Sequence, residues 1–201
     1  MPSIYDLKPR FQSLLRPLVR RLAAAGVSAN HVTIAALILS LLLGGSIALD
    51  PMAKWPMLLM PVALFVRMAL NAIDGILARE HGMKSGLGAV LNEVGDVLSD
   101  TALYLPMALV PGVNSFWVVL VVVLAIVSEM TGVVAVQIGA QRRYDGPMGK
   151  SDRAFVFGLL GLLLGMGIDW PHWADVLMMI TIILLVVTII NRARRALGEI
   201  A

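Results

Sequence analysis

Residues 71–100 read NAIDGILAREHGMKSGLGAVLNEVGDVLSD, which sets Asn71, Asp74, Asn92, Asp96 and Asp100 inside otherwise apolar runs. An ionisable group in such a run is expensive and marks a functional site by default. Similar apolar runs recur along the 201-residue chain: 59% of its residues are hydrophobic, only 14% are charged and the mean hydropathy is +0.86. That is the composition of an integral membrane protein, not of a soluble domain. The net charge of +3 lies beside hydrophobic stretches. Orientation and anionic lipid account for it there, and no nucleic-acid partner is implied. Without cysteine, the chain has no disulfide, thiolate metal site or cysteine nucleophile.

A crossing needs roughly 20 mostly apolar residues. The pattern predicts six spans, near His31 to Leu49, Trp55 to Arg79, Gly86 to Val110, Phe116 to Gln141, Ala154 to Ile168 and Trp173 to Asn191. The fifth is short, and Gly158, Gly161, Gly165 and Gly167 suggest that it packs closely on a neighbour. Ahead of the spans, Ile4, Leu7, Phe11, Leu14, Leu15, Leu18 and Leu22 recur at helical steps, with Lys8, Arg10, Arg16, Arg20 and Arg21 between them. That pattern predicts an amphipathic helix in the membrane interface within residues 1–27, bent or broken at Pro9 or Pro17. Ser28 or Asn30 is expected to cap the first span. The expected fold is therefore all-α: a single polytopic membrane domain over residues 1–201, with the interfacial helix leading into a six-helix bundle over residues 31–191.

Alternation of six spans puts nearly all basic residues, Arg79, Lys84, Arg142, Arg143, Lys150, Arg153 and Arg192 among them, on the side of the amino terminus. Only Lys54 falls in an outer loop. The positive-inside rule then sets both termini in the cytoplasm, with the bacterial inner membrane as the expected location. Trp55, Trp117, Trp170 and Trp173 are expected at outer ends.

Topology converts position into depth. At about 1.5 Å per residue, Asp74 and Asn71 lie about 7 and 12 Å from the inner end of span two, and Asn92 and Asp96 about 9 and 15 Å from that of span three. Asn71, Asp74, Gly75 and Ala78 share one face of span two, while Gly88, Asn92, Asp96 and Asp100 follow one another at four-residue steps on span three. Four oxygen-bearing side chains at similar depth suit a hard divalent cation, Mg²⁺ or Mn²⁺, working with a substrate phosphate. Gly75 and Gly88 would let a bulky group approach the backbone. The plainer alternative is polar glue between helices. Arg67, at a similar depth on span two, calls for acids at its level. Asp100 and Glu129 are expected to supply structural ion pairs in preference to metal ligands.

The chain here resembles the CDP-alcohol phosphotransferases, whose motif is Asp-x2-Asp-Gly-x2-Ala-Arg-x8-Gly-x3-Asp-x3-Asp. The sequence reads Asn71-x2-Asp74-Gly75-x2-Ala78-Arg79-x8-Gly88-x3-Asn92-x3-Asp96, with every spacing kept and two aspartates replaced by asparagine. The resemblance implies that Asn71, Asp74, Asn92 and Asp96 hold metal over a donor pyrophosphate, where family members hold a divalent pair. It further implies that Asp96 is the catalytic base and that Asp74, Gly75, Ala78, Arg79 and Gly88 line the nucleotide site. Two lost carboxylates should weaken cation binding.

In Arg142 to Arg153, RRYDGPMGKSDR, a Gly/Pro turn precedes Lys150 and Arg153 at the start of span five. Cations at a helix start oppose the helix dipole, so either they bind an anion or they follow the positive-inside rule. The Gly-Lys pair looks like the segment with which phosphatidyl-transferring family members bind the acceptor's phosphate. This assigns Lys150, Arg153 and Arg192 to an acceptor anion. His31, His81 and His172 are too scattered for a metal site.

The resulting expectation is a transferase moving a phosphatidyl group from CDP-diacylglycerol to a small polyol or polyol phosphate and releasing CMP, within a cavity open to the cytoplasm. A homodimer is implied by the resemblance alone. The competing expectation is a non-catalytic member that binds CDP-lipid or nucleotide, with a transporter a more distant third.

Overall fold

Every regular element among the described residues, 4–168 and 172–201 of this computed structural model, is helical. Trp170 lies outside them, as do the side chains of residues 4–10. The elements are α1 (Ile4–Ala24), α2 (Ala29–Leu49), α3 (Lys54–Glu80), α4 (Gly86–Tyr104), a 3₁₀ turn (Leu105–Leu109), α5 (Ser115–Gln137), α6 (Lys150–Gly165) and α7 (Trp173–Ile200). By length and composition α2, α3, α5 and α7 can cross a membrane. The other two helices of the bundle are less autonomous, because α4 is interrupted by Glu93, Asp96 and Asp100 and α6 has only 16 residues.

The ends of the helices follow local chemistry that hydropathy alone does not reveal. Ser28 caps α2 by accepting the His31 N–H, and His31 Nδ1 accepts the Ser28 N–H in return, each at 3.3 Å. The third apolar run was expected to stay helical to Val110, yet α4 gives way to a 3₁₀ turn at Leu105. Pro106 has no N–H for the carbonyl of Ala102, four residues back. That carbonyl points at Gly44 of α2, where a Cβ would overlap it. The fourth run was expected to reach Gln141, but α5 stops at Gln137 because Gly139, at φ +91°, closes the helix with N–H groups 139 and 140 turned back to Val136 and Ala135. The fifth helix starts earlier than expected, at Lys150, because the Gly149 N–H finds the Asp152 carboxylate at 2.9 Å. Pro9 and Pro17 do not interrupt α1.

Packing arranges α2, α3, α4 and α6 as one group and α5 with α7 as a second. The glycines of α6 let it lie against α3: Gly158 faces Pro61 and Leu64, Gly161 faces Met57 and Met60, and Gly165 faces Leu58. A Cβ at Gly161 would come within 2.8 Å of the Met60 Cβ. At the centre of the core, Tyr104 and Phe157 stack with ring centroids 3.9 Å apart. The amphipathic α1 buries Val19 against Ile73, Ile76 and Leu77 of α3, while Leu14 is 77% exposed. Arg16 of α1 pairs with Glu80 at the end of α3, at 3.0 Å.

Candidate active site

Four helices converge on two aspartates. On α3, Asn71 and Asp74 lie one turn apart, and Asp74 is buried. Its Oδ2 accepts the hydroxyl of Thr33, on α2, at 2.9 Å. Across from it on α4, Asp96 Oδ1 accepts the Asn71 amide at 3.2 Å, meets the Lys150 ammonium of α6 and lies 3.8 Å from Arg67. Arg67 also donates to the backbone carbonyl of Asp96 at 3.0 Å. Asn92 is half-buried one turn below Asp96 on the same helix.

The cations of α6 meet the acids of α4 rung by rung. Lys150 takes Asp96, and one turn further in Arg153 takes Asp100, 2.9 Å from its Oδ2. Arg67 enters from α3 and reaches Asp100 Oδ1 at 2.5 Å. Glu129 of α5, expected to serve Arg67, instead joins Arg153 and Arg142 at 2.9 Å each and Arg192 at 3.4 Å. Arg67, Arg153 and Arg192 are each at most 1% exposed. A charge so deeply placed is tolerable only with close partners and a full set of hydrogen bonds. Arg153 and Arg192 have them, Arg153 donating also to the Met148 carbonyl and Arg192 to those of Ser128 and Asp145, whereas Arg67 keeps its carboxylate partners but buries its Nε without a hydrogen bond.

Of the three cations assigned to an acceptor anion, then, only Lys150 keeps a quarter of its side chain exposed. Arg153 and Arg192 lie behind it, engaged with Glu129.

Arg142 folds inward from the loop after α5. It bridges Glu93 and Glu129, and it fits because Gly132 has no side chain where the guanidinium passes. Burial would lower its hold on the proton, but the two carboxylates outweigh that and keep it above the usual arginine value.

The glycines of the site have neighbours of their own. A Cβ on Gly75 would come within 3.1 Å of the Arg79 guanidinium, which lies back over it, and one on Gly88 would be 2.9 Å from Asn30 Oδ1 of α2. Sequence reasoning missed Thr33 and Asn30. The available signal was a hydroxyl and an amide three residues apart at the inner start of the first span, within reach of the depth assigned to Asp74.

The donor atoms here are all hard oxygens: two carboxylates, and two amide carbonyls of which Asn71 has its nitrogen turned away toward Asp96. That set fits a divalent cation of the Mg²⁺ or Mn²⁺ kind. It is nonetheless poor in charge, and among the described residues no three acidic, imidazole or thiol groups gather as a metal cluster.

The family model for CDP-alcohol phosphatidyltransferase matches residues 26–190. The chain is 49% identical over 197 residues to the inner membrane protein YnbA of Escherichia coli K12, covering 97% of this chain and 96% of that one. Its fold is similar to that of phosphatidylinositol phosphate synthase from Mycobacterium tuberculosis. With CDP-DAG bound, that enzyme superposes with a TM-score of 0.75 at 20% identity, over 90% of this chain and 92% of its own. In complex with manganese and citrate, it gives a TM-score of 0.76 at 19% identity, over 91% and 88%.

Proposed function

This chain belongs to the CDP-alcohol phosphatidyltransferase family, and we propose that it transfers a phosphatidyl group from CDP-diacylglycerol to the hydroxyl of a small anionic acceptor, a polyol phosphate, in phospholipid synthesis. The observation that carries this reading is the meeting of α3, α4 and α6 at Asp96, where a carboxylate able to take a proton sits beside a partly exposed ammonium able to take an anion.

The acceptor's anionic group draws Lys150 to itself, which leaves the Asp96 carboxylate to accept the hydroxyl proton. The acceptor oxygen bonds to the phosphorus of the phosphatidyl group, the bond to CMP breaks, and CMP leaves with its electron pair. Asp74, Asp96 and the carbonyl oxygens of Asn71 and Asn92 would hold a divalent cation, Mg²⁺ or Mn²⁺, which would supply charge to stabilise this leaving group. Thr33 fixes the orientation of Asp74. Gly75, Ala78, Arg79 and Gly88 line the nucleotide's place, with Asn30 beside Gly88. Arg153 and Arg192 hold positive potential behind Lys150, while Arg67, Asp100 and Glu129 keep the helices in register.

In this reading the whole chain is one membrane domain. Helices α2 to α7 all cross, α4 and α6 by sharing their charges with neighbours, and α1 lies in the inner interface with Leu14 toward lipid. Both termini and the site face the cytoplasm, in keeping with the basic residues at that end and Trp55, Trp117 and Trp173 at the other. The protein works in the bacterial inner membrane as a homodimer.

Asn71 and Asn92 favour a second reading, a family member that binds CDP-lipid without turning it over. One experiment separates the two: CMP release from CDP-diacylglycerol by purified protein with Mg²⁺ or Mn²⁺, against polyols and their phosphates, with Asp96→Asn as control. Acceptor-dependent release lost in the control supports transfer; donor binding without release supports the second reading.

A further inference from the structure

We infer that this site takes a single divalent cation, on its Asp74 side, and that the Lys150 ammonium occupies the charge position at Asp96 that a second cation would require. This goes further than the metal-dependent transfer proposed for the same site, and rests on it.

Affinity for hard cations follows the count of charged oxygen ligands. Two carboxylates are present, Asp74 and Asp96, with neutral Asn71 and Asn92 at the corresponding turns of α3 and α4. They are not equally available. Asp96 Oδ1 has the Lys150 ammonium on it, the Asn71 amide at 3.2 Å and the Arg67 guanidinium at 3.8 Å, while the Asp96 backbone carbonyl accepts from Arg67 as well. Without an acceptor to draw Lys150 away, a second divalent ion at that oxygen would face both cations and gain no carboxylate to offset them.

Asp74 differs in kind. Its side-chain partner is the neutral hydroxyl of Thr33 at 2.9 Å, so its charge is not cancelled by a neighbour in contact. Asn71 joins the two halves, because its nitrogen is spent on Asp96 and its carbonyl oxygen remains, one turn from Asp74 on the same helix. One divalent cation with Lys150 brings three positive charges to two carboxylates, and the surplus charge meets the donor's pyrophosphate.

The test is Mn²⁺ binding to the purified full-length protein, by equilibrium dialysis and electron paramagnetic resonance without substrate. The wild-type chain should bind one ion with the resolved hyperfine spectrum of an isolated Mn²⁺, and Asp74→Asn should lose it. The triple variant Asn71→Asp, Asn92→Asp, Lys150→Met should take a second ion and acquire the broadened spectrum of an exchange-coupled pair. Two ions on the wild-type chain, or one that survives Asp74→Asn, overturns the single-site assignment and leaves metal dependence standing. No ion on the wild-type chain at saturating Mn²⁺ overturns both. The wild-type and Asp74→Asn stoichiometries decide the matter even where the triple variant does not fold.

Discussion

Replacing Asp100 by asparagine removes one negative charge from between two buried arginines. Arg67 reaches it at 2.5 Å and Arg153 at 2.9 Å, and neither guanidinium has access to water. Arg153 would keep Glu129 at 2.9 Å, but Arg67 would be left with Asp96 at 3.8 Å, which Lys150 already shares. Breaking a buried pair from one side costs about 3–5 kcal/mol. Asparagine keeps one oxygen as an acceptor, so the lower end, about 3 kcal/mol, is expected, or roughly 6–12 °C in Tm for a chain of this size. Thermal unfolding in detergent, followed by helical circular dichroism, measures it. Glu80→Gln is the internal standard: its partner Arg16 is 42% exposed, and a solvent-screened pair of that kind contributes little. Adding Arg67→Met to Asp100→Asn should recover part of the loss, since it removes the stranded charge. A loss no larger than that of Glu80→Gln would refute the claim that Asp100 is the counter-ion of a buried network. A fully folded Asp100→Asn protein without activity would move Asp100 into the catalytic set.

Lys150→Ala should raise the acceptor KM roughly 10-fold or more, as one charge-assisted contact of about 1.5–3 kcal/mol is lost, with little change in the KM for CDP-lipid; Arg153→Ala should chiefly lower Tm. Thr33→Val should weaken Mn²⁺ binding by about 10- to 100-fold, the usual cost of losing a group that orients a metal ligand, and an unchanged titration would show that the hydroxyl does not position Asp74. Gly44→Ala sets a methyl group against the Ala102 carbonyl and should cost about 1–3 kcal/mol in the same unfolding assay, whereas Gly45→Ala, with open space around it, should not.

Much of this was legible from hydropathy and spacing, and the rest follows from contacts far apart in sequence. The four-residue steps of Asn92, Asp96 and Asp100 hold on α4 because an α-helix returns to nearly the same face at that interval. What spacing could not reveal is how Lys150 and Arg153 divide between two acids more than fifty residues away. Both read as cations for an acceptor anion, yet three residues along α6 take Arg153 one turn deeper, from Asp96 to Asp100 and out of water. Glu93 is off the face shared by Asn92, Asp96 and Asp100, and its partner, Arg142, comes from a loop whose inward path depends on Gly132 in another helix. The ends of α4 and α5 were in the sequence, at Pro106 and Gly139. Hydropathy averages over such residues and runs past them.

The uneven apolarity of the helices bears on how the chain enters a bilayer. The weak candidates for autonomous insertion, α4 and α6, carry Asp96, Asp100, Lys150 and Arg153, whose partners lie on each other and on the strongly apolar α3 and α5. In the six-span reading α4 leaves the translocon with acids that only Arg67, already synthesised on α3, can neutralise, while the guanidinium of Arg153 is not made until about fifty residues later. Insertion is then a sequence of dependent steps: α3 receives α4, and the pair with α5 receives α6. A chain ending after α4 should hold that helix across the membrane less often when Arg67 is replaced by leucine, although leucine makes α3 itself more apolar. Glycosylation-site mapping of that truncated chain would show it, and equal crossing with either residue would mean that α4 inserts on its own strength.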